Sequence, residues 1–188
     1  YEQELLYMLS PKIAVVLGSL RDGSYTSYAA AIVIRVMEEG YGATVTVLDP
    51  AELPLTFPNS PDSEKLQAQL MAVIRPADGV ILCTPEFNGS YSSTLKALID
   101  HMDYPDALEG KPIGLVGVAA GRIGAIKALE HLRGICGHLG AMVLAYPVSV
   151  AEVHTVFDAE GNCNDMDLQA QLEAVGHGMM KHLGVEKV

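Results

Sequence analysis

The sequence predicts a doubly wound α/β fold, a five-stranded parallel sheet of order 2-1-3-4-5 with helices on both faces. Three observations carry this expectation. Short, β-branched apolar runs alternate with stretches of helical spacing along most of the chain. The strand runs are apolar at nearly every position, as in strands buried on both faces. The alternation supplies five strands and no obvious second unit, which suits this order better than a six-stranded dinucleotide-binding sheet.

Each element follows from its residues. Lys12–Leu17 (KIAVVL), bounded by Pro11 and Gly18, is the first strand. Tyr28–Glu39 (YAAAIVIRVMEE) has helical length, and Gly40 and Gly42 stop it. Thr44–Leu48 (TVTVL) is the second strand, and Asp49–Ser63, with prolines at 50, 54, 58 and 61, is an irregular connection. Glu64–Arg75 is a helix that Pro76 ends. Gly79–Cys83 (GVILC) is the third strand and Thr94–Met102 (TLKALIDHM) the next helix. Pro112–Val118 (PIGLVGV) is the fourth strand, Ile123–Leu139 a helix, and Ala141–Ala145 (AMVLA) the fifth strand. Asp165–Leu183 closes the chain as a helix with apolar Met166, Leu168, Leu172, Val175, Met179 and Leu183. No repeat, low-complexity tract or linker divides the chain, so residues 1–188 read as a single domain with residues 1–11 as an N-terminal extension.

Composition excludes several classes of function. Half the residues are apolar (49%) and 19% are charged, which opposes disorder. The net charge of -11 opposes nucleic acid and anionic membrane as partners, because phosphate surfaces need a basic footprint. Cys83, Cys136 and Cys163 are odd in number and widely spaced, suggesting neither a disulfide framework nor a metal clip and favouring a reducing compartment. With no secretory leader pattern and no apolar run of membrane-spanning length, a cytoplasmic location is expected.

Ligands of open parallel sheets bind beyond the carboxyl ends of the strands where the order reverses, here between the first and third strands. Three segments rich in Gly, Ser or Asn follow strand ends: Gly18–Thr26, Thr84–Ser93 and Ala119–Gly124. The first enters a helix, so free amides and the positive end of the dipole face its contents. Ser19, Ser24 and Thr26 add hydroxyls, and Arg21 adds a planar fork matched to phosphate oxygens. Neither GxxxxGK(S/T) nor GxGxxG is present, which leaves a single phosphomonoester as the best fit. The alternative is plain helix capping by Ser24 or Thr26.

In the second segment, Thr84–Asp100 (TPEFNGSYSSTLKALID), Pro85 and Gly89 imply an irregular backbone whose amides and carbonyls suit a flat polar heterocycle. Phe87 and Tyr91 offer stacking surface. The alternative is that proline, asparagine and glycine merely form a turn. The third, Gly117–Leu129 (GVAAGRIGAIKAL), spaces Gly117, Gly121 and Gly124 as GxxxGxxG, open to reading as a loose dinucleotide loop or as close helix–sheet packing.

These segments resemble the signatures of the NADPH-dependent FMN reductase family. GSLRDGSYT (Gly18–Thr26) matches the family form GSLRxxS, and TPEFNGSYSSTLKALIDH (Thr84–His101) stands for TPEYNxSxPGxLKNAID. Val153–Asn162 (VHTVFDAEGN) extends the likeness toward the C-terminus. The resemblance implies a flavodoxin-like three-layer α/β/α sandwich holding FMN without a covalent bond. It places the FMN phosphate at Ser19, Arg21, Ser24, Tyr25 and Thr26, and the ribityl chain and ring at Pro85, Glu86, Phe87, Asn88, Gly89 and Ser90. Ala119, Gly121 and Arg122 would close the other edge. It further implies hydride transfer from NADPH or NADH through flavin N5 to a small acceptor (a quinone, flavin, azo compound or metal oxyanion), with no catalytic side chain. A homodimer or homotetramer is the implied assembly.

This chain departs from the family form at Phe87 for tyrosine, Tyr91-Ser92 for Pro-Gly, His101 for tryptophan, and Arg122 where a glycine pair is usual. Tyr91 adds bulk near the expected flavin edge, and Arg122 is open to two roles, a contact for the NADPH 2′-phosphate or a subunit salt bridge. Two other functions compete with the reductase: a flavodoxin-like electron carrier, and a binding module without NAD(P)H oxidation. No metal site is expected. His131 and His138 lie seven apart and His177 and His182 five apart, so none has the helical i, i+4 pairing of a zinc site, and solvated or interfacial histidines are expected. Cys83 lacks a nucleophile elbow and reads as core.

Overall fold

A computed structural model describes residues 10–188, so residues 1–9 of the expected N-terminal extension lie outside the described residues. Strands β1 (Lys12–Leu17), β2 (Thr44–Leu48), β3 (Gly79–Phe87) and β5 (Pro112–Val118) form the body of a parallel sheet. Two short strands, β6 (Met142–Val143) and β7 (Val148–Val150), both pair parallel with β5, while β4 (Ser90–Tyr91) folds back antiparallel on the end of β3. The order is the expected 2-1-3-4-5, with the fifth position shared by β6 and β7.

The expected fifth strand Ala141–Ala145 is corrected to Met142–Val143, and Val148–Val150, beyond the expected run, is a second short strand at the same position. Tyr146 takes φ +65 and Pro147 follows it, so the chain leaves the ladder after Val143 and rejoins β5 at Val148. A positive φ is foreign to a strand, and proline has no amide for the ladder.

Layering explains the unbroken apolar runs. Ile13, Val15, Leu17, Ile81, Cys83, Val116 and Val118 pack against helices α1 (Tyr25–Tyr41) and α6 (Met166–His182). The alternate residues Ala14, Val16, Val80, Leu82, Ile113 and Leu115 pack on the opposite side against α2 (Ser63–Ile74), α3 (Ser93–Asp100) and α4 (Ile126–His138). Successive strand side chains point to opposite faces, and both faces here are covered, so neither set can be polar. The result is the three-layer sandwich. A short helix α5 (Val153–Val156) precedes α6.

Helix starts are set by side chains that the spacing of apolar residues does not reveal. α1 begins at Tyr25, three residues before the expected Tyr28, because the Ser24 hydroxyl accepts the Ser27 amide at 3.2 Å and caps the helix. Its other end stops at Gly42 (φ +64), whose amide bonds back to Glu38 and Met37.

Of the GxxxGxxG glycines, Gly117 serves helix–sheet packing: a Cβ there would stand 2.6 Å from Ala125 Cβ and 3.1 Å from the Leu129 side chain. The start of α4 therefore rests directly on β5. Gly117→Ala forces α4 away from the sheet and should lower stability by roughly 1–3 kcal/mol, read from the midpoint of urea unfolding. Gly121→Ala, with nothing within 4 Å of its added Cβ, is the matched control and should leave the midpoint in place.

Candidate functional site

The three glycine-rich segments leave one edge of the sheet side by side. Leu17 is in register with Cys83, Cys83 with Val116 and Pro85 with Val118, so the ends of β1, β3 and β5 lie next to one another at the point where strand order reverses.

The first segment is an exposed turn leading into α1. Leu20, Arg21, Asp22 and Gly23 are exposed, Ser19 is half-buried, and Ser24 and Thr26 are buried. Ser24 is the helix cap, and the Arg21 amide bonds to the Ser19 hydroxyl at 3.3 Å. The amides of Asp22, Gly23, Tyr25 and Thr26 have no acceptor among the described residues, nor does the Thr26 hydroxyl make a side-chain hydrogen bond there. Tyr25 turns elsewhere: its ring stacks on Phe157 (centroids 6.3 Å, 28° between planes) and meets Tyr28 edge-on at 6.1 Å.

The second segment is more regular than expected. β3 runs on to Phe87 and returns as β4, with Glu86 opposite Tyr91 and Phe87 opposite Ser90. Asn88 (φ +53) and Gly89 (φ +81) form the two-residue connection, the positive-φ pair of a type I′ hairpin turn. Asn-Gly is a strong hairpin signal, and it overrides the irregular backbone inferred from Pro85. One Glu86 carboxylate oxygen accepts the Gly89 amide across the turn. Phe87 and Asn88 are exposed, and the Ser90 hydroxyl is 3.0 Å from Nδ1 of His131.

Between hairpin and third segment lies a cleft of about 260 Å³ lined by Glu86, Gly89, Gly121, Arg122, Ile123, Gly124 and Lys127. Four of these are expected site residues; Lys127, on the first turn of α4, is an addition that no motif marked. Arg122 is 90% exposed, and its Nε stands 3.4 Å from Glu152 Oε1, an ion pair within the chain. Ala119 is not brought to the cleft: it is buried against Ala125, Ala128 and Tyr91, its amide bonds to Val150 and its carbonyl to Val153.

Counted along the family form, Ser92-Ser93 stand at the Pro-Gly positions, one residue beyond the expected Tyr91-Ser92, and Tyr91 falls on the unrestricted position before them; Tyr91 and Ser92 both have structural uses. Tyr91 packs into the small-residue face formed by Ala119, Ala125 and Ala128, and its hydroxyl titrates above its ordinary range because it is partly desolvated there, with Lys96 opposing and Asp100 adding to the shift. Ser92 is fully buried and ties the first two segments together. Its hydroxyl donates to Gly18 O at 2.7 Å and accepts the Leu95 amide at 3.1 Å, capping α3. Its amide donates to the Thr84 hydroxyl at 3.0 Å, which itself donates to Pro85 O at 2.9 Å, while the Gly18 amide bonds to Cys83 O at 2.8 Å. A Cβ on Gly18 would stand 2.8 Å from Ser92 Oγ, so this closeness requires glycine.

Other titratable groups play lesser parts. Cys83 is fully buried and its thiol is pushed up to about 12 by desolvation; burial likewise takes Cys136 to about 11. Among the described residues, no three His, Cys, Asp or Glu side chains stand together as a metal site. His101 is a correction to the expected solvated histidines. It is 3% exposed, with Nδ1 2.7 Å from Ala97 O and Nε2 without a partner among the described residues. The hydrogen bond to its own helix lets the ring enter the core. No helix among the described residues is long and apolar enough to cross a membrane.

Comparison with known proteins gives consistent matches. A family model described as NADPH-dependent FMN reductase matches residues 11–155. An NAD(P)H-dependent FMN reductase of Pseudomonas aeruginosa is 33% identical over 179 residues, 87% of this chain and 92% of the relative. A quinone reductase of Escherichia coli is 32% identical over 182 residues, 93% of this chain and 92% of the relative. Among solved structures, a flavoenzyme NAD(P)H:acceptor oxidoreductase from Paracoccus denitrificans superposes with a TM-score of 0.70 at 25% identity, covering 92% of this chain and 98% of that one.

Ser92→Ala leaves the buried Gly18 carbonyl and the first turn of α3 without partners, and should cost about 1–3 kcal/mol of stability, measured by urea unfolding. The thiols give a second expectation. At pH 8 the buried Cys83 and Cys136 remain protonated and shielded, so a thiol-specific disulfide reagent should label Cys163 alone in the native protein and all three cysteines after denaturation.

Proposed function

The chain belongs to the NADPH-dependent FMN reductase family, and from that premise we propose that its three carboxyl-end segments are the FMN site, held in what we read as a single domain. The protein is an FMN-dependent NAD(P)H oxidoreductase acting on a small-molecule acceptor. The observation that carries the site assignment is the donor set at the start of α1, amides without an acceptor among the described residues and the Thr26 hydroxyl beside exposed Arg21.

That donor set fits a phosphomonoester. The Asp22–Thr26 amides, the hydroxyls of Ser19 and Thr26 and the Arg21 guanidinium would hold the FMN phosphate, with Ser24 fixing the helix start and Tyr25 bracing it from behind against Phe157. Pro85, Glu86, Phe87, Asn88, Gly89 and Ser90 would present hairpin backbone and an exposed aromatic ring to the flavin, and Gly121 and Arg122 would border its far edge across the cleft. Ala119 supports that edge by packing. FMN held there would supply the redox chemistry between NAD(P)H and a quinone, flavin, azo compound or metal oxyanion.

The chain's own residues bind, orient and shield. The cleft has no histidine or cysteine, its ionisable groups being Glu86, Arg122 and Lys127. Cys83, beneath the hairpin, stays a protonated core residue. Exposed Leu20, Phe57, Phe87, Ile123 and Ile126 on and beside these segments are apolar surface for a second copy, which supports a homodimer or homotetramer.

Purified protein loaded with FMN should show flavin absorbance and oxidise NADPH or NADH in the presence of a quinone. Arg21→Ala should weaken FMN binding by about 10-fold or more, measured by quenching of flavin fluorescence. A protein that takes up no FMN refutes the site. One that binds FMN but oxidises neither nucleotide is an electron carrier instead.

A further inference from the structure

The turn before α1 rests on a loop far along the chain. Between α5 and α6, residues 157–163 fold back on themselves. Phe157 pairs with Cys163 as an isolated antiparallel bridge, the Asp158 amide donates to Asn162 O at 3.1 Å, and the Gly161 amide donates to Asp158 O at 3.2 Å. The Asp158 carboxylate closes the loop from within. One oxygen accepts the Glu160 and Asn162 amides at 3.0 and 2.7 Å, and the other accepts the Asn162 side-chain amide at 2.9 Å. Gly161 takes φ +87, and a Cβ there would stand 2.7 Å from Cδ1 of the Tyr28 ring. The loop backbone therefore lies directly against Tyr28, in a conformation and at a distance that suit glycine alone.

Two contacts carry the position of this loop to the turn. Tyr28 stands between the loop and Gly23: its hydroxyl is 3.3 Å from Ala159 O, and a Cβ on Gly23 would stand 3.2 Å from that hydroxyl and 4.0 Å from Cζ. Phe157 is 4% exposed, lies against Tyr28 with centroids 6.0 Å apart, and stacks on Tyr25. Gly23 and Tyr25, the residues so reached, both belong to the set whose amides lack an acceptor among the described residues.

We infer that the 157–163 loop, acting through Tyr28, is a positioning device that sets the preference for a phosphorylated flavin over riboflavin. The inference rests on the reading of the turn as the FMN phosphate site and adds what holds the donors of that site ready. Amides hold a phosphate tightly only when they are already aimed at it, because ordering a loop on binding subtracts from affinity. Leu20, Arg21, Asp22 and Gly23 are exposed, so the contact with Tyr28 is a support that Gly23 (φ +57) has from within the fold. The Tyr28–Ala159 hydrogen bond is long for a hydroxyl donor. The ring, packed against Phe157 and Gly161, is therefore the part that positions.

The test compares the affinities of FMN and riboflavin, read by quenching of flavin fluorescence, for the flavin-free wild type, Tyr28→Leu, Tyr28→Phe and Asp158→Ala. Riboflavin lacks only the phosphate, so the ratio of the two affinities reads the phosphate grip alone. Tyr28→Leu should lower the FMN-to-riboflavin ratio by about 5-fold, the worth of one hydrogen bond. Tyr28→Phe, which keeps the ring, should retain the wild-type ratio. Asp158→Ala loosens the loop at a residue whose hydrogen bonds stay within it, and should lower the ratio in the same direction. Urea unfolding checks that each variant folds, and if Tyr28→Leu does not, Asp158→Ala decides. Folded variants that keep the wild-type ratio, or that lose affinity equally for both flavins, overturn the role of the loop and leave the FMN site standing. A wild type that binds riboflavin as tightly as FMN overturns both.

Discussion

The geometry of the carboxyl end hangs on one buried hydroxyl. Ser92 Oγ donates to the Gly18 carbonyl and caps α3, and its amide is received by Thr84. Two segments 74 residues apart in sequence are thereby fixed to one another without a ligand. The bonds lie where β1 and β3 diverge, the point at which a doubly wound sheet opens a crevice. Leaving a buried carbonyl unpaired is costlier than an ordinary hydrogen bond is favourable, so the closed network holds the phosphate-side turn against the hairpin. Gly18 is its necessary counterpart, since a side chain there would occupy the position of the Ser92 oxygen.

Around that joint the departures from the family form read as replacements rather than losses. Ser92 exchanges the proline of the family form for a cap that also crosses to β1. Tyr91, which by spacing alone falls near the flavin edge, turns into the alanine-lined face of α4 and fills it. Small residues at 119, 125 and 128 accept this ring, as Gly117 accepts α4 itself. The bulk at position 91 is thereby turned, half-buried, against these small residues, and the opening of the cleft is left to Gly121, Arg122 and Lys127.

Most of the fold was legible because both faces of the sheet are covered, which makes each central strand apolar throughout and impossible to mistake for a half-exposed one. The covered runs of β1 and β5 match their predicted bounds residue for residue. Legibility failed where side-chain hydrogen bonds or backbone signs take over from hydrophobic spacing. Ser24 draws α1 forward, Asn88-Gly89 makes a hairpin of an apparent loop, and Tyr146-Pro147 sets off a further short strand, Val148–Val150, beyond the run read as the fifth. In the site, the composition of the three segments announced their place at the sheet's edge. Nothing in the order of residues announced that Ser92 would reach Gly18 or that Lys127 would lie along the hairpin, because both are contacts between segments remote in sequence.

The broken fifth strand bears on how the protein behaves in a crowded solution. An open sheet ends in strands whose outer amides and carbonyls are free to recruit another chain. Here one border consists of two residues, a kink and three residues, with Pro147 at the break. No stretch of it is long or straight enough to serve as a template. At the other border β2 alternates threonine with valine and exposes Thr46 and Val47, a short run of five residues. A protein of this kind guards itself against fibre-like stacking by the shape of its margins, and the kink that spoiled a simple strand assignment is part of that guard.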